Sequence, residues 1–190
     1  MNTQMKAYDR NFVKQLGRGD RKVQKQLFEK LYAPMFRVCQ RYIVQADEAE
    51  DCLMKGFLKA FQQINRFEYH HEEGLFWWIR KIMVNECLMA LRKGSNFFMS
   101  IEEDSGRESG TEAEVLDQMN AEDLNSLIML LPTGYRTVFC LYVIEGYDHR
   151  EVSEMLNITE STSRTQLAKA KTKLRDMLGK MNYEHGYAGK

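Results

Sequence analysis

The residues best suited to chemistry stand between Asp148 and Arg175, where Arg164, Gln166, Lys169, Lys171, Lys173 and Arg175 follow one another closely. A guanidinium can donate two parallel hydrogen bonds to a guanine edge, a carboxamide can pair with adenine, and an ammonium neutralises phosphate. The bland alternative is a solvated basic helix face. A second set is Phe76, Trp77 and Trp78 beside Arg80 and Lys81. Aromatics interleaved with bases are what single-stranded bases stack on; the alternative is that all three rings are core, and Trp78 is expected there. A third set, His70 and His71 with nearby carboxylates, has the residue types of a metal site. Adjacent histidines diverge, and no second ligand pair stands at a fixed spacing, so no metal is expected.

The basic set must be positioned by local structure. Val152 and Leu156 lie four apart, on one face of a short helix. Asn157 follows where two tightly joined helices need a left-handed residue, and its short polar side chain suits that backbone. Thr159 can cap the next helix by accepting a free backbone N–H. That helix is expected to bury Leu167, Ala170 and Leu174 and to turn the six polar residues outward. Two short helices, a tight turn and a basic second helix make a helix-turn-helix, whose second helix fits a DNA major groove.

Composition sets the frame. With 190 residues, 44% of them hydrophobic, the chain can bury one core or two small ones. Only two prolines, no sustained strand alternation and a wealth of helix formers predict an all-α fold. Charge balances overall, at 27 bases against 27 acids, but it is segregated. From Ile101 to Asp123 nine acids face Arg107 alone; from Glu160 to Lys180 six bases face Glu160 and Asp176. Neutrality overall with basic faces suits a regulated nucleic-acid binder better than a nonspecific coater. Cys39, Cys52, Cys87 and Cys140 are scattered without a CxxC, as reduced buried thiols of a cytosolic protein would be. No apolar run approaches the ~20 residues of a membrane span, so a cytoplasmic protein without membrane insertion is expected.

Along the chain, residues Met1 to Asp20 are polar, and Gly17-Arg18-Gly19-Asp20 breaks any early helix. Phe28, Leu31, Met35, Val38 and Tyr42 step by three and four between Arg21 and Gln45, with a kink or a helix start expected near Pro34. A helix from Asp47 to Phe67 buries Leu53, Phe57, Ala60, Phe61 and Ile64. Met54 and Leu58 then fall on its outer faces, where a lone solvated helix would be polar, and hint at a protein partner. A polar loop, Glu68 to Gly74, leads to a helix from Leu75 to Lys93 with Trp78, Ile82, Leu88 and Leu91 as core candidates. Gly94 to Asp123 reads as a mobile acidic linker. A helix over Leu124 to Leu131 stops at Pro132, another spans Tyr135 to Ile144, and Gly146 leads into the helix-turn-helix.

Several motifs then converge. Glu50-Asp51, Phe57-Leu58-Lys59-Ala60 and Leu75-x-x-Trp78-Ile79-x-Lys81-Ile82-x-x-Asn85 match one domain pattern; Leu131-Pro132, Tyr135-Arg136, Gly146-Tyr147, Glu151-Val152 and Thr162-x-Arg164 match another. On these the chain resembles the extracytoplasmic-function (ECF) group of bacterial sigma-70 RNA polymerase sigma factors, the minimal form with only the second and fourth sigma domains, over about Phe12 to Leu178. The resemblance implies two small helical domains joined by a flexible acidic linker. It divides the chain into an N-terminal extension (1–20), a region 2 domain (21–94), the linker (95–123), a region 4 helix-turn-helix (124–180) and a tail (181–190).

It also implies roles. Asp51, Met54, Lys55, Leu58, Lys59 and Gln62 would dock on core polymerase. Arg66, Tyr69, His70, His71, Trp77, Lys81 and Asn85 would capture a base flipped from the minus-ten element, and Arg92 and Lys93 would hold upstream phosphates. Ser161, Thr162, Arg164, Thr165, Gln166, Lys169 and Lys173 would face the minus-thirty-five element. Promoter DNA, core polymerase and an anti-sigma factor are the implied partners, with no cofactor. The chain departs from the family pattern where Met54-Lys55 replaces a usual Gln-Glu, Gln166 the second Arg of the recognition helix, and Ser163 a usual Val. The competing reading is a stand-alone helix-turn-helix regulator with an N-terminal sensing or dimerisation domain. An enzyme is not expected, because no nucleophile–base pair and no phosphate-cradling glycine loop stands in the sequence.

Overall fold

A computed structural model describes residues 8–93 and 121–184, with side chains of the second stretch described over 124–179. The expected acidic linker falls almost wholly outside the described residues, as does the end of the expected tail. Among the described residues the fold is all-helical, and it divides into two compact units, Met1–Leu91 and Arg92–Lys190.

The first unit opens with α1 (Arg10–Gly17), capped where Asp9 accepts the Phe12 N–H at 2.7 Å. α2 (Arg21–Tyr42) starts in the same way: the Asp20 carboxylate accepts from Lys22 and Val23, using N–H groups that a helix start leaves without partners. α3 spans Ala46–Gln63 and tightens into a 3-10 turn at Ile64–Arg66; α4 spans Gly74–Lys93. Leu31, Met35, Val38 and Tyr42 are buried as their spacing predicts, and Phe28 is half-buried against Phe57. No helix start occurs at Pro34. α2 runs through it, because buried Leu31 and Met35 on either side hold the segment against the lost N–H and the ring's clash. α1 ends at the Gly-Arg-Gly-Asp break, yet it is no loose extension: Leu16 is 1% exposed, and α1 packs on α2 and on the 3-10 turn.

α3 and α4 meet at Gly56, where an added Cβ would lie 2.2 Å from the Met83 sulfur. The glycine is the space that Met83 fills. Of the expected α4 core, Ile82 and Leu88 are buried but Trp78 and Leu91 are only half-buried; Leu75, Ile79, Met83, Val84 and Cys87 supply the rest.

In the second unit, α5 (Ala121–Met129) turns through Pro132 into α6 (Thr133–Phe139), which widens to a π-helical turn at Cys140–Ile144. α7 (His149–Leu156) and α8 (Glu160–Glu184) follow. Arg136 explains the Tyr-Arg element of the sequence. Its guanidinium, 4% exposed, donates to the carbonyls of Leu131 at 2.8 Å and Met129 at 3.2 Å, closing the end of α5. The core lies where α6 and α7 pack on α8, around Val138, Phe139, Val152, Leu156, Leu167 and Leu174.

Candidate nucleic-acid interface

The turn between α7 and α8 has the geometry its residues predict. Asn157 is left-handed at φ 54°, ψ 49°. Thr159 Oγ1 accepts the Thr162 N–H at 3.0 Å, capping α8. α7 carries a signal the sequence reading passed over: Asp148 accepts the Glu151 N–H at 2.8 Å while the Glu151 carboxylate accepts the Asp148 N–H at 2.9 Å. This reciprocal capping box was legible as an acid followed three residues on by Glu.

α8 presents Thr162, Thr165, Lys169 and Lys173 at steps of three, four and four, with Ser161 and Arg164 exposed beside them. Arg164 Nη2 donates to Glu160 Oε2 at 2.7 Å, so the guanidinium is held one turn back toward the helix start. Gln166 is a correction. It is 1% exposed and belongs to the packed side of α8, not to the outer face. The reason is angular: Gln166 stands three residues from Ser163 and four from Ala170, at the flank of the arc they bury, and packing against α8 covers that flank.

Ser163 is fully buried and lies 2.9 Å from His149 Nδ1, sharing a hydrogen bond. The Tyr142 ring stacks on that imidazole with centroids 4.3 Å apart. Tyr142, His149 and Ser163 thus tie three elements at the base of α8. Burial, and secondarily the Arg164 charge, hold the His149 pKa below its ordinary value.

In the first unit a second polar surface forms on α4 and the loop before it. Trp77, Lys81 and Asn85 are exposed at steps of four, and exposed Arg92 continues the face seven residues on, with exposed Lys93 beside it. Trp77 is 49% exposed, with the Arg80 guanidinium 5.3 Å from its ring centroid and Phe76 edge-on at 5.3 Å. Arg80 and Phe76 brace the indole without covering it. Trp78 instead packs on Phe67 at 5.5 Å. Arg66, His70 and His71 are exposed, and His70 meets Glu68 in an exposed pair at 3.5 Å. Tyr69 is half-buried, with the Arg10 guanidinium 5.5 Å from its ring centroid. Among the described residues no group of three or more His, Cys, Asp or Glu is arranged to hold a metal ion.

A third surface lies on α3. Asp51, Lys55, Leu58 and Gln62 form one exposed stripe, and Met54 is 49% and Leu58 59% exposed. Lys55 pairs with Asp51 along the helix. Lys59 differs from its neighbours: its ammonium donates to Glu86 at 2.8 Å, joining α3 to α4, so only part of it faces out. Leu130, Tyr142 and Val143 are the exposed large apolar residues described in the second unit. All four cysteines are buried, and none of them forms a disulfide among the described residues. No helix among the described residues is long and apolar enough to cross a membrane.

Comparison with known proteins matches residues 27–97 to the family described as sigma-70 region 2 and residues 121–174 to sigma-70, region 4. The ECF RNA polymerase sigma factor SigM of Mycobacterium tuberculosis is 26% identical over 164 residues, 86% of this chain and 81% of that protein. SigW of Bacillus subtilis, also an ECF RNA polymerase sigma factor, is 26% identical over 178 residues, covering 87% and 94%. Among solved structures, the sigma factor RpoE in complex with the anti-sigma factor NepR from Bartonella quintana aligns at a TM-score of 0.48 and 17% identity, over 82% of this chain and 96% of that one.

Proposed function

The chain belongs to the sigma-70 family, in its extracytoplasmic-function group, and from that premise we propose how its surfaces divide the work of an RNA polymerase sigma factor. The α3 face of Asp51, Met54, Lys55, Leu58 and Gln62 docks on core polymerase. Met54 and Leu58 gain most there: being about half exposed, each gains roughly half of the ~1.5–3 kcal/mol that full burial of an apolar side chain contributes. α8 enters the major groove of the minus-thirty-five element, with Arg164 reading a base edge, Ser161, Thr162 and Thr165 within reach of the groove, and Lys169 and Lys173 against phosphates.

The α4 face and the preceding loop take the minus-ten element. Flipping a base out of the duplex costs a few kcal/mol, which stacking and a polar pocket offset. Exposed Trp77 supplies a ring face, Asn85 and the loop supply hydrogen-bonding groups, and Arg66, Lys81, Arg92 and Lys93 supply charge for the strand backbone. None of these steps makes or breaks a covalent bond; the chain directs the polymerase's chemistry. It acts in the cytoplasm, where the polymerase and its promoters are, and an anti-sigma factor would silence it by covering the same apolar residues.

The observation that carries this reading is the pair of sigma-70 matches, one on each helical unit, with region 2 preceding region 4. A stand-alone helix-turn-helix regulator accounts for the second unit and leaves the region 2 match in the first without a role. The test is capture of purified bacterial core polymerase by the full chain, followed by transcription from a promoter library. Stable capture with output from a narrow promoter class is expected. Tight duplex binding without polymerase capture would overturn the reading in favour of the regulator.

A further inference from the structure

The loop between the 3-10 turn and α4 is held from outside the family-matched region. α1 precedes residue 27, where the region 2 match begins, and its two ends touch the loop and its approach. At its start, the Tyr8 N–H donates to the Glu72 carbonyl at 3.4 Å. Two residues on, where α1 begins, the Arg10 guanidinium lies over the Tyr69 ring at 5.5 Å. At its end, Gly17 comes so close to the 3-10 turn that an added Cβ would be 2.8 Å from Asn65 Oδ1. The helix is itself anchored: Leu16 and Tyr8 are buried, Tyr8 lies 5.1 Å from Phe12, and the Lys30 ammonium of α2 is 5.9 Å from the Tyr8 ring.

A loop whose six residues from Glu68 to Glu73 are polar, and which must receive an unpaired base, loses entropy on ordering. Ordering it in advance against a packed helix moves that cost from DNA binding into folding. We propose that α1 is the mount of the strand-capturing loop, and that Arg10, stacked on Tyr69, is a positioning residue for capture of the flipped promoter base. This rests on the loop's assignment to the minus-ten element. Arg10 is exposed and contributes little to the core, so its removal leaves the fold intact while freeing Tyr69.

The experiment compares four full-length proteins in complex with core polymerase: wild type, Arg10→Ala, Arg10→Lys, and a loop variant carrying Tyr69→Ala with His70→Ala. Promoter opening is read as permanganate reactivity of unpaired thymines on duplex DNA, and in parallel as transcript output from a template whose minus-ten region is already unpaired. A cation over an aromatic ring is worth ~0.5–1 kcal/mol, so Arg10→Ala should lower opening on the duplex by about two- to five-fold. Arg10→Lys should retain most of the opening, and the pre-opened template should shrink the defect. Polymerase affinity should be unchanged. If the loop variant impairs opening and Arg10→Ala does not, the mount is refuted while the loop assignment stands. If the loop variant itself opens DNA normally, the assignment beneath the proposal fails first.

Discussion

Replacing Arg164 by alanine separates a base-reading side chain from a merely basic one. In the free protein the guanidinium is bonded to Glu160 at 2.7 Å, with the two side chains 55% and 44% exposed. An exposed pair spaced four apart on a helix is worth ~0.3–0.5 kcal/mol, and alanine is the better helix former, so folding stability should shift by under about 0.5 kcal/mol. On DNA the balance differs. A bidentate guanidinium contact with a base edge contributes ~1–3 kcal/mol, from which releasing Glu160 subtracts roughly the pair's own worth. Arg164→Ala should therefore lower promoter-specific output by about two- to hundred-fold, with the loss concentrated at one base pair. The assay is transcription by reconstituted holoenzyme from promoters substituted singly through the minus-thirty-five element. The variant should no longer distinguish bases at that position and should keep its discrimination elsewhere. Glu160→Gln should move the other way, raising output by up to about two-fold, because Arg164 starts unpaired. A uniform loss across all substituted promoters would assign Arg164 to phosphate, and unchanged discrimination would remove it from the interface. Gln166→Ala serves as the contrast: being buried, it should cost stability and leave base discrimination as it was.

Arg136→Met should destabilise the second unit by about 1–3 kcal/mol, since the buried Leu131 carbonyl and the part-buried Met129 carbonyl lose a charged donor, read as faster amide exchange over α5 and α6; protection unchanged within ~0.5 kcal/mol would contradict that role. Gly56→Ala should cost ~1–3 kcal/mol in denaturant unfolding, because the new methyl displaces the Met83 sulfur from the α3–α4 contact. A neutral result would mean that Met83 moves aside freely. His149 has a pKa below its ordinary value of 6.5. The unfolded chain then binds the proton better, so its contribution to stability is intact above pH 6.5 and is lost as pH falls through the folded value. Asp148 and Glu160 oppose that shift and Lys171 adds to it, yet burial dominates. His149→Gln should flatten the acid-side slope of unfolding in the second unit, and an unaltered slope would place the titration elsewhere.

Much of this protein is local, and local features are written in the chain. The all-helical class, the apolar stripes of α2 and α3, the left-handed Asn157 and the Thr159 cap each depend on residues within four positions of one another. Helix period and capping chemistry act over that range and need no partner. The outer stripe of α3 followed in the same way, because whatever the buried stripe leaves must face out. The edges of those stripes were decided by packing. Gln166 sits at the flank of an apolar arc, and only the helices laid against α8 determine whether that flank is covered. Pro34 reads as a kink or a helix start, and the helix start is excluded only because buried neighbours hold α2 through it. Arg136 and the His149–Ser163 pair look in sequence like polar residues facing water, yet each reaches a group that folding brings near. The same holds for Arg10, 59 positions from the Tyr69 ring it covers. A polar side chain at a boundary takes its role from its three-dimensional neighbours, because a buried polar group is stable only where a partner meets it.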